Sequence, residues 1–256
     1  MKRGWGITAV FAAALVSGCA SLRDSVTLPY VASFSDGVPG TELPAGWEPW
    51  ALSKFKKSTQ YQLVAQDGKT VIKASARASA SGLVHRLDVD PKQFPMLEWH
   101  WKVTELIAAA DNTKKHAEDS PVRVVVSFDG DIARLPLGDR LFFDNMRALS
   151  GRQMPYATLM YIWENRAVKD TVIPNLHTTR VKMIVAESGR GKLGEWQEVV
   201  RNVYEDYRRA FGEEPGNITM IGIMTDTDNT GANVHAYYGD IVFRRIAPPR
   251  RVFASD

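Results

Sequence analysis

Asp226, Asp228 and Asn229 bring three carboxylate or amide side chains to one short loop, Asp226-Thr227-Asp228-Asn229-Thr230-Gly231. A hard cation such as Ca²⁺ takes oxygen ligands in flexible geometry, so Asp226, Asp228 and Asn229 are candidate ligands for calcium or for the hydroxyls of a sugar. The loop is not an EF-hand, because Tyr237 stands where the closing glutamate belongs. The same residues also make an ordinary loop in which Asp and Asn bond their own backbone. Trp163, beside Glu164-Asn165-Arg166 at a strand end, offers an indole for the C–H face of a sugar ring. Arg123 alternates against Val122 and Val124, which places it on an outer sheet face. The expected binding set is therefore Trp163 for stacking and Arg123, Asp226, Asp228 and Asn229 for polar contacts. It requires strand pairing to bring three distant segments together.

Other chemistry is less well supplied. Glu98 and Glu164 sit on outward positions of two strands and are the carboxylates a glycoside hydrolase would need, although their separation is spatial and not readable from sequence. Gly189-Arg190-Gly191-Lys192-Leu193-Gly194 fits G-x-G-x-x-G, but no alternation of parallel strands and helices surrounds it, so a flexible glycine loop is expected. His85, His100, His116, His177 and His235 show no zinc-ligand spacing. No serine lies in a G-x-S-x-G elbow. Catalytic residues are left unassigned.

The amino terminus carries the sharpest signal. Lys2 and Arg3 precede an apolar run from Ile7 to Val16, and Val16-Ser17-Gly18-Cys19 ends on the single cysteine. The run is too short to span a bilayer and reads as a secretory signal over residues 1–18. Val16-Ser17-Gly18-Cys19 resembles a bacterial lipobox. That resemblance implies a diacylglyceryl group on Cys19, removal of the preceding peptide and acylation of the new amino terminus, palmitate being one such acyl group. Several chains together hold a protein on a membrane where one binds marginally. Ala20 and Ser21 follow Cys19 in place of an aspartate, which in a Gram-negative cell resembles sorting to the outer membrane, facing the periplasm. Loss of residues 1–18 takes Lys2 and Arg3 and no acidic residue, so the formal charge falls from +3 to +1. No nucleic-acid partner is implied by that balance. With Cys19 as the anchor, no intrachain disulfide can form.

The elements that must position these groups are mostly strands. Residues 19–30 read as a tether, residues 31–246 as one domain and residues 247–256 as a basic, proline-bearing tail. Val31 to Ser35 begins an extended segment, and Val38 to Trp50 reads as a loop pinned by Trp47 and Trp50. Gln66-Asp67-Gly68-Lys69 between two apolar runs predicts a type I′ hairpin. Leu97, Trp99, Trp101 and Val103 alternate with Glu98, His100 and Lys102, so one face of that strand is core. Further strands are expected at 82–89, 122–128, 158–163, 179–186, 218–224 and 235–246, with an irregular stretch from Asp129 to Pro155. One helix is predicted over Gln197 to Phe211, where Val200, Val203, Tyr204, Tyr207 and Phe211 share a face and Gly212 terminates it. The fold class is mainly β, a two-sheet antiparallel jelly-roll-like sandwich with one late α-helix.

Phe34-Ser35-Asp36-Gly37, Gly46-Trp47, Ser81-Gly82-Leu83-Val84, the Leu97 to Val103 strand and Tyr238-Gly239-Asp240-Ile241-Val242-Phe243 resemble the strand succession of galactose-binding-like jelly rolls, which include many carbohydrate-binding modules. More closely, Phe34 to Arg245 resembles the bacterial family called domain of unknown function 3047, through Trp99-His100-Trp101-Lys102-Val103, Arg123-Val124, Tyr161-Ile162-Trp163, Arg201-Asn202-Val203-Tyr204-Glu205-Asp206-Tyr207 and Ile223 to Gly231. That family brings no catalytic residues; the jelly-roll likeness implies sugar binding. The expectation is a lipid-anchored envelope protein that binds a glycan or another envelope component without catalysis. The alternatives are a carboxylate-dependent polysaccharide hydrolase and a structural or assembly lipoprotein that binds an envelope protein.

Overall fold

The computed structural model describes residues 1, 28–51, 53 and 55–245. Cys19, the lipobox, the first part of the tether and the tail from residue 246 lie outside the described residues. Among the described residues no helix is long and apolar enough to cross a membrane.

Strand formation follows the period-two pattern most clearly in β5 (Met96–Val103), where Leu97, Trp99, Trp101 and Val103 are fully buried and the intervening residues are half-buried. Its neighbours are β10 (Trp196–Asn202) and β12 (Asn233–Arg244), and β3 (Lys69–Arg77) and β2 (Gln60–Gln66) complete a five-stranded sheet in the order β10-β5-β12-β3-β2. The second sheet has seven strands, ordered β1-β4-β11-β6-β7-β9-β8, where β1 is Trp47–Ala51, β4 Ala80–Val89, β6 Ser120–Phe128, β7 Ala157–Glu164, β8 Val172–Pro174, β9 Val181–Ser188 and β11 Ile218–Asp226. The pairs are antiparallel except β7 with β9, which run parallel. The two sheets meet over one core. Trp99 lies 4.9 Å from Tyr161 and Trp101 6.4 Å from Trp163, ring centre to ring centre, across the gap between the layers.

Two helices flank the sandwich, α1 (Leu137–Ser150) and α2 (Val203–Phe211). The single late helix expected over Gln197 to Phe211 is thus half strand. Residues 196–202 pair with β5, Val199 enters the core, and Asn202 then caps α2 by accepting the Glu205 N–H at 3.1 Å. The stretch expected to be irregular holds α1, which begins after Pro136 and ends at Gly151 in the left-handed conformation. Conversely, Val31 to Ser35 forms no strand; the Trp47 indole donates to the Ala32 carbonyl at 2.7 Å and fastens that segment to β1. The predicted hairpin is present: Asp67 and Gly68 have φ of 52° and 78° between β2 and β3.

The sheets differ on their outer faces. All nine residues of β6 are buried: on the outer face of its sheet Arg123 lies under the segment between β5 and β6, and Val125 packs with Ala80, Met224, Trp50 and Met160. The five-stranded sheet turns Glu98, His100, Lys102, Trp196, Glu198 and Tyr237 outward, and these are half-buried or exposed.

Candidate functional site

The structure brings the Asp226 loop to Arg123, and Asp119, which the sequence reading missed, joins the loop there. Arg123 does point to the outer face of its sheet, yet it is 1% exposed. It donates to the Glu118 carbonyl at 2.9 Å and lies 3.5 Å from both Asn112 and Asp226, under the segment that leads into β6. Asp119 accepts the backbone N–H of Asn229 and of Thr230 and the Thr230 hydroxyl, at 3.2, 2.8 and 2.6 Å. Asn229 donates its amide to the Lys115 carbonyl, and Asp228 pairs with Lys56 at 2.6 Å. One carboxylate oxygen each of Asp119, Asp226 and Asp228 lies within 4.8 Å of the others.

Three carboxylates so close cannot all ionise cheaply. Burial raises the Asp226 carboxyl well above its ordinary range against the pull of Arg123, and Asp228 and Asp119 push it the same way. Asp228 is itself half-buried, which works against ionisation, but the hydrogen bond from Asp226 and the Lys56 ammonium hold it below the usual carboxylate range. Of the three carboxyls, Asp226 is the one that burial and its acidic neighbours push toward the protonated form, while Arg123 and Lys56 offset negative charge in the cluster. Calcium at this loop would have to compete with Lys56 for Asp228, and Asp119 already spends both oxygens on the loop backbone and the Thr230 hydroxyl. The oxygen set expected from sequence is assembled here, but as a clamp that closes the β11–β12 connection onto β6.

Trp163 requires a correction. It is 1% exposed, packed in the core beside Trp101, and its Nε1 donates to the Gly189 carbonyl at 3.0 Å. Tyr161 and Trp163 share the inward parity of β7, so the indole has no face for a sugar. Glu164 is corrected too: one of its oxygens accepts the N–H of Arg166 and Ala167 at 2.6 and 2.9 Å, a turn cap, and it lies in the other sheet from Glu98. The glycine loop connects β9 to β10 and leads into a strand, so it offers no helix terminus to a phosphate.

An open site lies on the outer face of the five-stranded sheet. A cavity of about 400 Å³ is lined by Asp67, Lys69, Glu98, His100, Trp196 and Asp240 among others. The β2–β3 hairpin tip swings Asp67 over β5 and β10, where its Oδ2 accepts from Lys102 Nζ at 3.0 Å and from the Trp196 indole at 2.8 Å. Those two donors hold the Asp67 carboxyl below its ordinary range. Lys102 Nζ also stands about 6 Å from the ring centres of Trp196 and Tyr237, which lie 6.5 Å apart. At the floor, β12 bulges between Tyr238 and Ile241, and Gly239 brings its backbone against His100, where an added Cβ would sit 3.1 Å from the His100 Cβ. Asp240 is fixed by the Ser35 backbone and hydroxyl at 3.0 and 2.5 Å, and Glu98 Oε2 accepts from Arg244 Nε at 2.6 Å. Trp196 was passed over in sequence because the residues after it were read as helix.

The family model of the protein of unknown function DUF3047 matches residues 45–242. The chain belongs to that family. No curated protein matches it. Among solved structures this DUF3047 protein is similar to an arabinose-bound MgGH51 α-L-arabinofuranosidase, at 9% identity and a TM-score of 0.41 over 84% of this chain and 26% of that one, so it spans about a quarter of that enzyme. It is also similar to the family 30 carbohydrate-binding module of a cellulosomal cellulase of Clostridium thermocellum, at 11% identity and a TM-score of 0.36 over 84% and 92% of the two chains. A third is the xyloglucanase domain of NopAA, a type three effector from Sinorhizobium fredii, in complex with cellobiose, at 7% identity and 0.42 over 83% and 100%. No residue role follows from these likenesses.

Proposed function

We propose that this DUF3047 protein is a cell-envelope protein, lipid-anchored at Cys19, that binds a neutral glycan on the outer face of its five-stranded sheet. The observation that carries the reading is Trp196, a half-buried indole at a cavity walled by Val71 and Val242 together with hydrogen-bonding side chains such as Gln66, Asp67, His100 and Asp240. A binding surface for sugar needs an apolar platform and convergent polar groups together, and Trp196 supplies the first while Asp67, His100 and Asp240 supply the second. Asp67 is pre-oriented by the same indole that would carry the ring, so its position costs little ordering on binding. Acidic Asp67, Glu98 and Asp240 outnumber Lys69 on the cavity wall, which favours neutral sugars over uronates.

Calorimetry on the detergent-solubilised protein, with neutral oligosaccharides and a polyuronate as separate arms, tests this. Neutral binding weakened at least tenfold by Trp196→Ala is expected. Binding that Trp196→Ala leaves unchanged, or binding restricted to the polyuronate, overturns the site. Release of reducing ends that Glu98→Gln abolishes replaces binding with hydrolysis. For the anchor, labelled palmitate should enter the wild-type protein and not Cys19→Ala in growing cells; equal labelling removes it.

A further inference from the structure

We infer that Glu98, His100 and Glu198 form a site for one divalent transition metal of the zinc class, on the same face as Trp196 but independent of any sugar. Strand register makes the set. His100 of β5 stands directly opposite Glu198 of β10, and Glu98 lies two residues along β5 on the same face. One ligand atom from each lies within 4.8 Å of the others. Zinc holds nitrogen and oxygen ligands at about 2.0–2.2 Å, so the three must draw together by somewhat over an ångström. Glu198 is exposed and has the rotamer freedom to do so.

The donor types choose the metal. Two carboxylates with one imidazole suit Zn²⁺, Mn²⁺, Co²⁺ or Ni²⁺, whereas Ca²⁺ and Mg²⁺ prefer oxygen throughout. Three protein ligands leave a coordination position facing the cavity, as in open zinc sites. Outer support is present: Arg244 holds Glu98 Oε2 at 2.6 Å, which orients the carboxylate while its other oxygen stays available. His100 is set in a strand paired on both sides, with Gly239 packed against its Cβ. Among the described residues, no hydrogen bond engages the His100 ring or the Glu198 carboxylate. In the Asp119 cluster, by contrast, Asp119 is bonded through both oxygens to the loop that it fastens, Asp226 faces Arg123 and Asp228 pairs with Lys56.

The test is calorimetry of the metal-stripped full chain in detergent with ZnCl₂, and the visible absorption of Co²⁺ added in its place, both without sugar. One equivalent should bind, and His100→Ala and Glu198→Gln should each weaken it at least tenfold, while Asp228→Asn leaves it unchanged. Absence of binding, or binding that neither His100→Ala nor Glu198→Gln weakens, overturns the site. Circular dichroism of the variants checks that their fold is intact. Sugar titrations in EDTA keep the two readings apart: zinc binding without sugar binding removes the glycan proposal alone, and the converse removes the metal alone.

Discussion

Two clusters of acidic side chains lie on the outer faces of the two sheets, and they have opposite fates. Asp119, Asp226 and Asp228 are gathered where the seven-stranded sheet is roofed by the segment entering β6; Asp119 is spent on the loop that it fastens, and Asp226 and Asp228 face Arg123 and Lys56. Glu98 and Glu198 are gathered with His100 on a sheet face that opens to a cavity, where Arg244 takes one Glu98 oxygen and no hydrogen bond among the described residues engages the Glu198 carboxylate. Similar chemistry thus becomes a structural clamp under a roof and a binding surface without one. Burial decides the difference, because a desolvated carboxylate must find a proton or a cation inside the protein, and water performs that service at an open face.

The widest gap between the regions is expected on removing Arg123. Arg123→Ala leaves the acidic cluster without its buried cation and should cost about 3–5 kcal/mol in urea unfolding. Glu198→Gln, on the open face, should stay within about 0.5 kcal/mol of wild type. Equal effects would erase the distinction drawn between clamp and surface. The next effect is a pH dependence. Because burial raises the Asp226 carboxyl, the folded state keeps a proton that the unfolded chain releases near its ordinary value of 3.8. That contribution is full below about pH 4 and is lost as the pH rises toward the elevated folded value. Asp226→Asn keeps its hydrogens at every pH, so its melting temperature relative to wild type should climb between pH 4 and pH 8. A constant offset across that range would mean that Asp226 is ionised in the fold.

How much of this was legible in the chain varies with the range of the interaction that decides it. The parity of β5 was readable because Leu97, Trp99, Trp101 and Val103 repeat every second residue, and Asp67-Gly68 announced its hairpin through local turn chemistry. The Asp226 loop and the outward direction of Arg123 were readable for the same local reasons. What covers Arg123 was not, since Asn112 and Glu118 reach it from a polar loop with no pattern of its own. Trp163 was misjudged although Tyr161 shares its parity; the polar residues after it drew attention to a strand end and away from the core face. Trp196 and Glu198 were lost to a period error. Val199, Val200 and Val203 fit a helix as well as a strand, and the discriminating signal was Asn202 with Glu205 three residues on, a helix start in the middle of the predicted helix.

The smallest expected effect probes whether the clamp could become a site. Lys56 is half-exposed, and its pair with Asp228 should contribute no more than about 1 kcal/mol. Lys56→Met therefore lowers stability slightly while stripping the one cation that guards Asp228 from solvent. If the cluster were a calcium site held shut by Lys56, the variant would gain a melting temperature that rises with Ca²⁺, because a ligand bound to the folded state alone stabilises it in proportion to the logarithm of its concentration. No such rise is expected: burial still opposes a charge on Asp226, Arg123 still faces it, and Asp119 still holds the Asn229 and Thr230 backbone, so calcium would meet one readily available carboxylate where it needs several. A calcium-dependent gain in Lys56→Met, set against none for Zn²⁺ at the open cluster of the wild-type chain, would reverse the assignment of the two faces.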